Sequence, residues 1–343
     1  MILLMQFLIR SKRNEKLRQK RFAITKKGAQ FIMIWCLLLF VSCGLRSAQE
    51  DTPFTFKETA QGVELLENEK PVFFYQRQPK SLTGEYNCNN YLHPLYSIEG
   101  DTLTEEFPED HPYHRGIFWS WHQVYIDTQS IGDHWIMKNI AQEVSRLTTA
   151  QHDGKAILKT KVNWTSPSYM NQKPFIEEQA TITAYTAEDG LRKIDFEIAL
   201  KALVPGVQIG GSDDAKGYGG FCARLRMPDN LLFTAEAGKV IPQELQLNAG
   251  PWMDFTADFD KNNEHSGITI LCHNSTPNYP APWILRQKGS MQNIVYPGRN
   301  RVALSATTPL VLRYRLIVHN GKAGALQLNT LQAEYQKQQY QGE

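Results

Sequence analysis

The chain has 343 residues, 42% of them hydrophobic and 11% aromatic, which is ordinary for a globular protein with ample material for a core. Its 37 basic and 35 acidic side chains leave a formal net charge of +2, and that balance gives no support to a nucleic-acid-binding role.

Much of the basic excess lies at the start. Lys and Arg between Arg10 and Lys27 precede an apolar run from Phe31 to Val41, the order of a charged n-region and an h-region. The run is about 11 residues, short of the roughly 20 needed to span a bilayer. It ends in Phe40-Val41-Ser42-Cys43-Gly44, which resembles a lipoprotein signal with Phe40 in place of the usual Leu. That resemblance implies cleavage before Cys43, a lipid on its thiol, and a mature protein in the periplasm or on the outer-membrane surface. The membrane is then met only through the lipid anchor. Residues 1–43 are read as the signal segment, 44–54 as a polar tether and 55–343 as one catalytic domain. Cys88, Cys222 and Cys272 remain, an odd number that allows one disulfide at most, and their spacing does not suggest structural zinc.

From about Thr55 the pattern is short strands broken by turn residues. Ala156 to Trp164 alternates, and Ala180–Tyr185 continues into Leu191–Leu200 across Glu188-Asp189-Gly190, a hairpin signal. Gly267–Cys272 and Leu310–His319 read as further strands, the second with charges on one face, and Ala323 to Tyr340 reads as a helix. Many short strands without βαβ alternation predict an all-β fold: a large antiparallel β-sandwich, or supersandwich, closed by a short C-terminal helix.

The densest chemistry is Asp110-His111-Pro112-Tyr113-His114-Arg115-Gly116-Ile117-Phe118-Trp119-Ser120-Trp121-His122, with three imidazoles, a guanidinium, a phenol and two indoles in thirteen residues. Imidazole exchanges protons near neutrality, and Arg can hold a carboxylate through two hydrogen bonds. A core strand with its polar groups exposed is the plainer reading. Further polar segments are Asn90–Tyr96 with His93, Asp133-His134-Trp135, Gly217-Tyr218-Gly219-Gly220 leading to Arg224, and His273–Trp283 with Asn278. Their density suggests one shared cleft. The glycines of the third would permit positive φ and close backbone approach, and the segment lacks the lysine and helix of a phosphate loop. No cofactor is certain. A divalent metal stays open through His111, His114 and His122 with Glu109, Asp110 or Asp133, whereas no nucleophile elbow is present.

Asn90–Tyr96, Asp110-His111-Pro112-Tyr113-His114-Arg115-Gly116 and His273-Asn274 with Pro277-Asn278 resemble a bacterial family labelled PmoA-like or "methane oxygenase", also called domain of unknown function 6807, over about residues 55 to 325. A chain with a lipoprotein signal and no membrane helices has nothing of a membrane copper oxygenase, so the resemblance implies no such chemistry. It implies a galactose-mutarotase-like β-sandwich from bacteria whose neighbouring genes degrade polysaccharides, with His93, His111, His114, Arg115, Arg224 and His273 at matched positions. Many relatives carry His where this chain has Tyr113.

The function expected is a carbohydrate-active enzyme whose partner is an oligosaccharide containing uronic acid, and the reaction expected is an elimination of the dehydratase or lyase type. Such a step needs a cation for the carboxylate, a base for the C5 proton and an acid for the leaving group. Arg115 is assigned to the first, His111 or His114 to the second, Tyr113 or His122 to the third. His93, Arg224, His273, Asn278, Trp121 and His134 are assigned to sugar binding. Mutarotase, epimerase or hydrolytic chemistry in the same cleft is the first alternative, and a glycan-binding lipoprotein without chemistry the second.

Overall fold

Strict alternation along the strands becomes an inward and an outward row. Lys155–Thr165 buries Ala156, Leu158, Thr160, Val162 and Trp164 and turns the residues between them outward. Ile176–Tyr185 pairs with it antiparallel and buries Ile176, Glu178, Ala180, Ile182 and Ala184. The expected hairpin follows: Asp189 and Gly190 both have positive φ, 51° and 72°, and Glu188 and Leu191 exchange backbone hydrogen bonds across them. In this computed structural model the described residues are 52–259 and 265–340. Residues 1–43, expected to be a signal segment with Cys43 lipidated, and most of the expected tether lie outside them.

Two large sheets face each other across one core. The first runs, edge to edge, Phe54–Glu58, Gly62–Glu67, Lys70–Gln76, Tyr91–Leu95, Ile117–Trp121, Gly219–Ala223, Gln292–Val295, Trp283–Ile284. The second runs Gly238–Lys239, Leu232–Ala235, Trp252–Ala257, Ser266–Cys272, Leu310–Asn320, Leu191–Ala202, Ile176–Tyr185, Lys155–Thr165, Ala141–His152. A small third sheet contains Gln123–Ile126 and Val207–Gly210. Every strand pairing within these sheets is antiparallel. The fold is the all-β sandwich expected.

The charged face of Leu310–Asn320 is explained by register. Arg313 lies opposite Glu197 and Arg315 opposite Asp195, with Arg315 Nη2 donating to Asp195 Oδ2 at 2.8 Å. The C-terminal helix is shorter than expected. Only Leu328–Tyr335 is α-helical, after a 3₁₀ turn at Ala323–Ala325, because Gln327 takes a left-handed φ of 48° and separates the two. Leu328 and Tyr335 pack onto Trp252, Leu271 and Ile317. Cys88, Cys222 and Cys272 are buried free thiols.

The inward row of Ile176–Tyr185 contains one charged group. Glu178 is fully buried and accepts from Asn90 Nδ2 (2.7 Å), Trp119 Nε1 (2.7 Å), Trp164 Nε1 (2.9 Å) and Gln142 Nε2 (3.3 Å). Trp119 belongs to the first sheet and Trp164 to the second, so this carboxylate ties the two layers together at the centre of the sandwich. Burial raises its pKa, while three of these donors pull it back down.

Candidate functional site

The same period of two sorts the histidine-rich segment onto two faces. In Ile117–Trp121, Ile117, Trp119 and Trp121 enter the sandwich core, while Phe118 and Ser120 point away from it. Phe118 lies opposite Cys222 in register, and the two join Tyr91, Cys88, Phe107, Trp135, Met137 and Met291 in a second apolar cluster on the outer side of the first sheet. A cleft of about 320 Å³ opens above this cluster, at the small end for ligand sites. It is lined by His111, Tyr113, His114, His122 and Trp135 from the histidine-rich segments and by Lys216, Tyr218, Arg286 and Ser290 from later in the chain.

Gly116 makes the tight entry into this strand. Its φ is +44°, and a Cβ there would come within 1.9 Å of the Leu92 carbonyl oxygen. Gly217 and Gly220 have φ of +63° and +98°, as the Gly217–Gly220 pattern anticipates, and the bend places Tyr218 in the cleft between them.

Each imidazole in the cleft is held differently. His122 Nδ1 lies 2.9 Å from Asp133 Oδ2, whose other oxygen accepts from the Trp135 and Ile136 amides. Its ring stacks on Trp135 with centroids 4.8 Å apart, and among the described residues its Nε2 has no hydrogen-bond partner. A carboxylate that takes the Nδ1 proton leaves Nε2 with a free lone pair, the arrangement of an oriented general base. His111 and His114 stack almost parallel at 4.4 Å. His111 Nδ1 is 2.9 Å from Asp110 Oδ2 but lacks hydrogen-bond alignment. His114 is buried, and burial, His111, Arg224 and Arg115 together lower its pKa to about 2. Tyr113 and Tyr218 are both shifted upward, in each case chiefly by burial, and so remain protonated phenols at neutral pH.

Several expected roles are corrected by position. Arg115 does not reach the cleft: it is 1% exposed, lies over the Phe118 ring, and its Nη1 donates to the carbonyls of Tyr113 and Trp135. It ties two loops together, and the cations at the cleft are Lys216 and Arg286 instead. The Arg286 guanidinium donates to the carbonyls of Gln243, Leu285 and Glu244, whereas Lys216 makes only a loose pair with Glu244 at 3.7 Å. Trp121 is in the core, its indole donating to the Tyr296 carbonyl. His134 is likewise in the core, 3.8 Å from the Trp164 ring centroid and 3.0 Å from Ser120 Oγ. Arg224 is buried behind the cleft wall and does not meet substrate space. His93 bonds Thr104 Oγ1, His273 packs edge-on to Tyr335 beneath the C-terminal helix, and Asn278 is exposed on its loop with φ of +70°. None of these three lines the cleft. The single shared cleft therefore gathers His111, Tyr113, His114 and His122 with Trp135 and Tyr218, and leaves the others elsewhere.

Lys216 and Arg286 were missed. Lys216 directly precedes the Gly217–Gly220 bend and could have been found there, whereas Arg286 sits in no pattern. Among the described residues no group of three or more His, Cys, Asp or Glu side chains is arranged to hold a metal ion. A larger open hollow of about 580 Å³, near Tyr185, Leu191 and Glu334, contains none of the expected site residues.

Buried His134 also has a consequence for stability. Burial drives its pKa well below the usual value, with Arg115 adding to the effect. The unfolded chain binds a proton near pH 6.5 that the folded chain refuses, so this contribution is complete above that pH and is lost as pH falls. Denaturant midpoints are expected to decline below about pH 6.5, and more gently in His134→Gln. Equal slopes in the two proteins would contradict a neutral buried His134.

No curated protein matches the chain. A crystal structure from Salmonella typhimurium, of a "putative mutarotase (YeaD)", is similar over 82% of this chain and 99% of that one, at 9% identity and a TM-score of 0.29, a level that carries no argument about fold or function. The PmoA-like, methane-oxygenase assignment is corrected by the family model that does match, which bears no such designation. Residues 62–333 match the Family of unknown function (DUF6807), and the chain belongs to that family.

Proposed function

We propose that the protein is an extracytoplasmic carbohydrate-active enzyme that removes the C5 proton of a uronic acid residue in an oligosaccharide and expels the group at C4, an elimination of the dehydratase or lyase type. The observation that carries this reading is the His122–Asp133 pair, an imidazole oriented by a carboxylate with its second nitrogen open to the cleft. His122 takes the carbon-bound proton, Lys216 and the positive charge of Arg286 attract the uronate carboxylate, and Tyr113 or Tyr218, held as phenols, give a proton to the leaving oxygen. This exchanges the roles first expected for His122 and Arg115 for ones their surroundings permit. Residues 1–43 act as a signal, with a lipid on Cys43 and a tether over 44–54, ahead of one catalytic domain.

The alternatives fit the cleft less well. Anomer exchange or epimerisation with a His acid and a carboxylate base needs an Asp or Glu against the sugar, and among the described residues neither lines the cleft. A binding module needs only an open aromatic platform and no perturbed titratable group, yet Trp135 is 3% exposed and His114 is strongly shifted. Incubation of the mature protein with a panel of uronate-containing oligosaccharides tests the proposal. Products lighter by one water, or unsaturated fragments, are expected; unchanged masses across the panel would overturn it.

A further inference from the structure

Arg224 is placed where it decides which nitrogen of His114 carries the proton. The guanidinium is itself fixed: Nε donates to Glu105 Oε2 at 2.8 Å, Nη2 lies 3.6 Å from Asp110 Oδ1, and the residue is 3% exposed. Its backbone is pinned too, the Arg224 amide donating to the Gly116 carbonyl and the Glu105 amide to the Arg224 carbonyl. Nη1 then sits 3.3 Å from His114 Nδ1. A guanidinium has five N–H donors and no acceptor, so His114 Nδ1 can only accept, and in a neutral ring the proton must be on Nε2. Among the described residues no hydrogen bond is made to that Nε2, and His114 lines the cleft.

We infer that Arg224 is a positioning residue that locks His114 as a neutral imidazole presenting an Nε2–H donor to the cleft, so that His114 binds an oxygen of the substrate and does not act as a base. Its surroundings agree on every side. His111 stacks on it, Arg115 and Arg224 bring positive charge from below, His122 shares the cleft, and Tyr113 and Trp135 meet its ring edge-on at 5.0 Å and 6.4 Å. The carboxylates nearby, Glu105 and Asp110, are engaged with Arg224, and Asp110 also approaches His111. None of them is paired with His114. The cleft thus holds two histidines of opposite character: one with a lone pair directed by Asp133, and one with a proton directed by Arg224. A fixed N–H donor beside a base suits an oxygen that gains negative charge as a neighbouring C–H is removed, and that use of His114 rests on the elimination proposed above.

The experiment needs no substrate. Two-dimensional nitrogen–proton spectra of histidine-labelled protein, with His114 assigned by its loss in His114→Gln, report protonation at each ring nitrogen across a pH series. The expected result is a bare Nδ1 and a protonated Nε2 that do not change from mildly acidic to mildly basic pH. In Arg224→Met the Nδ1 acceptor loses its donor, and a mixture of tautomers with a visible titration is expected. A wild-type His114 that carries its proton on Nδ1, or that titrates near the ordinary histidine value, would overturn the inference, as would an unaltered tautomer in a folded Arg224→Met protein. Expected spectra combined with no turnover of any uronate would leave the tautomer assignment standing and remove only the proposed reaction.

Discussion

His122→Ala is expected to lower turnover of a uronate oligosaccharide by roughly 10²–10⁴-fold, the range for loss of a positioned general base, without loss of the folded state. The expectation follows from where the ring sits: its Nδ1 is engaged by Asp133 Oδ2, and the residue lines the cleft with no hydrogen bond to its Nε2 among the described residues. Asp133→Asn tests the same point without removing the imidazole. The substituted side chain keeps one oxygen to accept from the Trp135 and Ile136 amides, as Asp133 Oδ1 does now, and so turns its NH₂ toward His122. The His122 ring must then accept at Nδ1 and carry its proton on Nε2, which removes the lone pair that catalysis needs. A loss approaching that of His122→Ala is expected, with melting close to wild type. His111→Gln is expected to cost less, because His111 has no aligned carboxylate to direct it. Equal and small losses in all three variants, measured as initial rates at saturating substrate, would contradict the assignment of the base.

The largest effect on stability is expected at Glu178. Glu178→Ala leaves two indole N–H groups, the Asn90 amide and the Gln142 amide facing a void at the centre of the sandwich. Each buried donor without an acceptor costs about 1–3 kcal/mol, and removing one member of a buried charged network costs about 3–5 kcal/mol as a whole. Denaturant unfolding should therefore show a loss of about 3–5 kcal/mol, distributed across both sheets because Trp119 and Trp164 belong to different layers. Glu178→Gln keeps one acceptor oxygen but sets an NH₂ against donors, and is expected to fall between wild type and Glu178→Ala. A Glu178→Ala protein as stable as wild type would show that the carboxylate is not the tie between the sheets.

The strands were legible where burial imposes a period of two on one face, as in Lys155–Thr165, or where two left-handed residues close a turn, as at Asp189-Gly190. The density of His, Tyr and Trp between Asp110 and Trp135 is a local signal, and His111, Tyr113, His114, His122 and Trp135 line the candidate cleft. What the sequence could not say was direction. Arg115 and His114 are neighbours in a conspicuous motif, yet the turn at Gly116 sends the Arg115 guanidinium under the loops and leaves the His114 ring at the surface of the cleft. His134 and Trp121 belong to the same rich segments but pack against Trp164. Glu178 occupies an ordinary inward position of a strand, and nothing local distinguishes it from an outward glutamate, because its four donors come from Asn90, Trp119, Gln142 and Trp164. The pairing of His122 with Asp133 is in the same way a product of chain folding across a turn.

The most direct test of the central claim, that His122 draws a proton from the carbon beside a uronate carboxylate, is to run the oligosaccharide panel in heavy water and follow both product mass and the C5 proton by magnetic resonance. Loss of the C5 proton together with a new C4–C5 double bond, absent in His122→Ala, is the result expected. Retention of the C5 proton in every substrate, with unchanged masses, would contradict it.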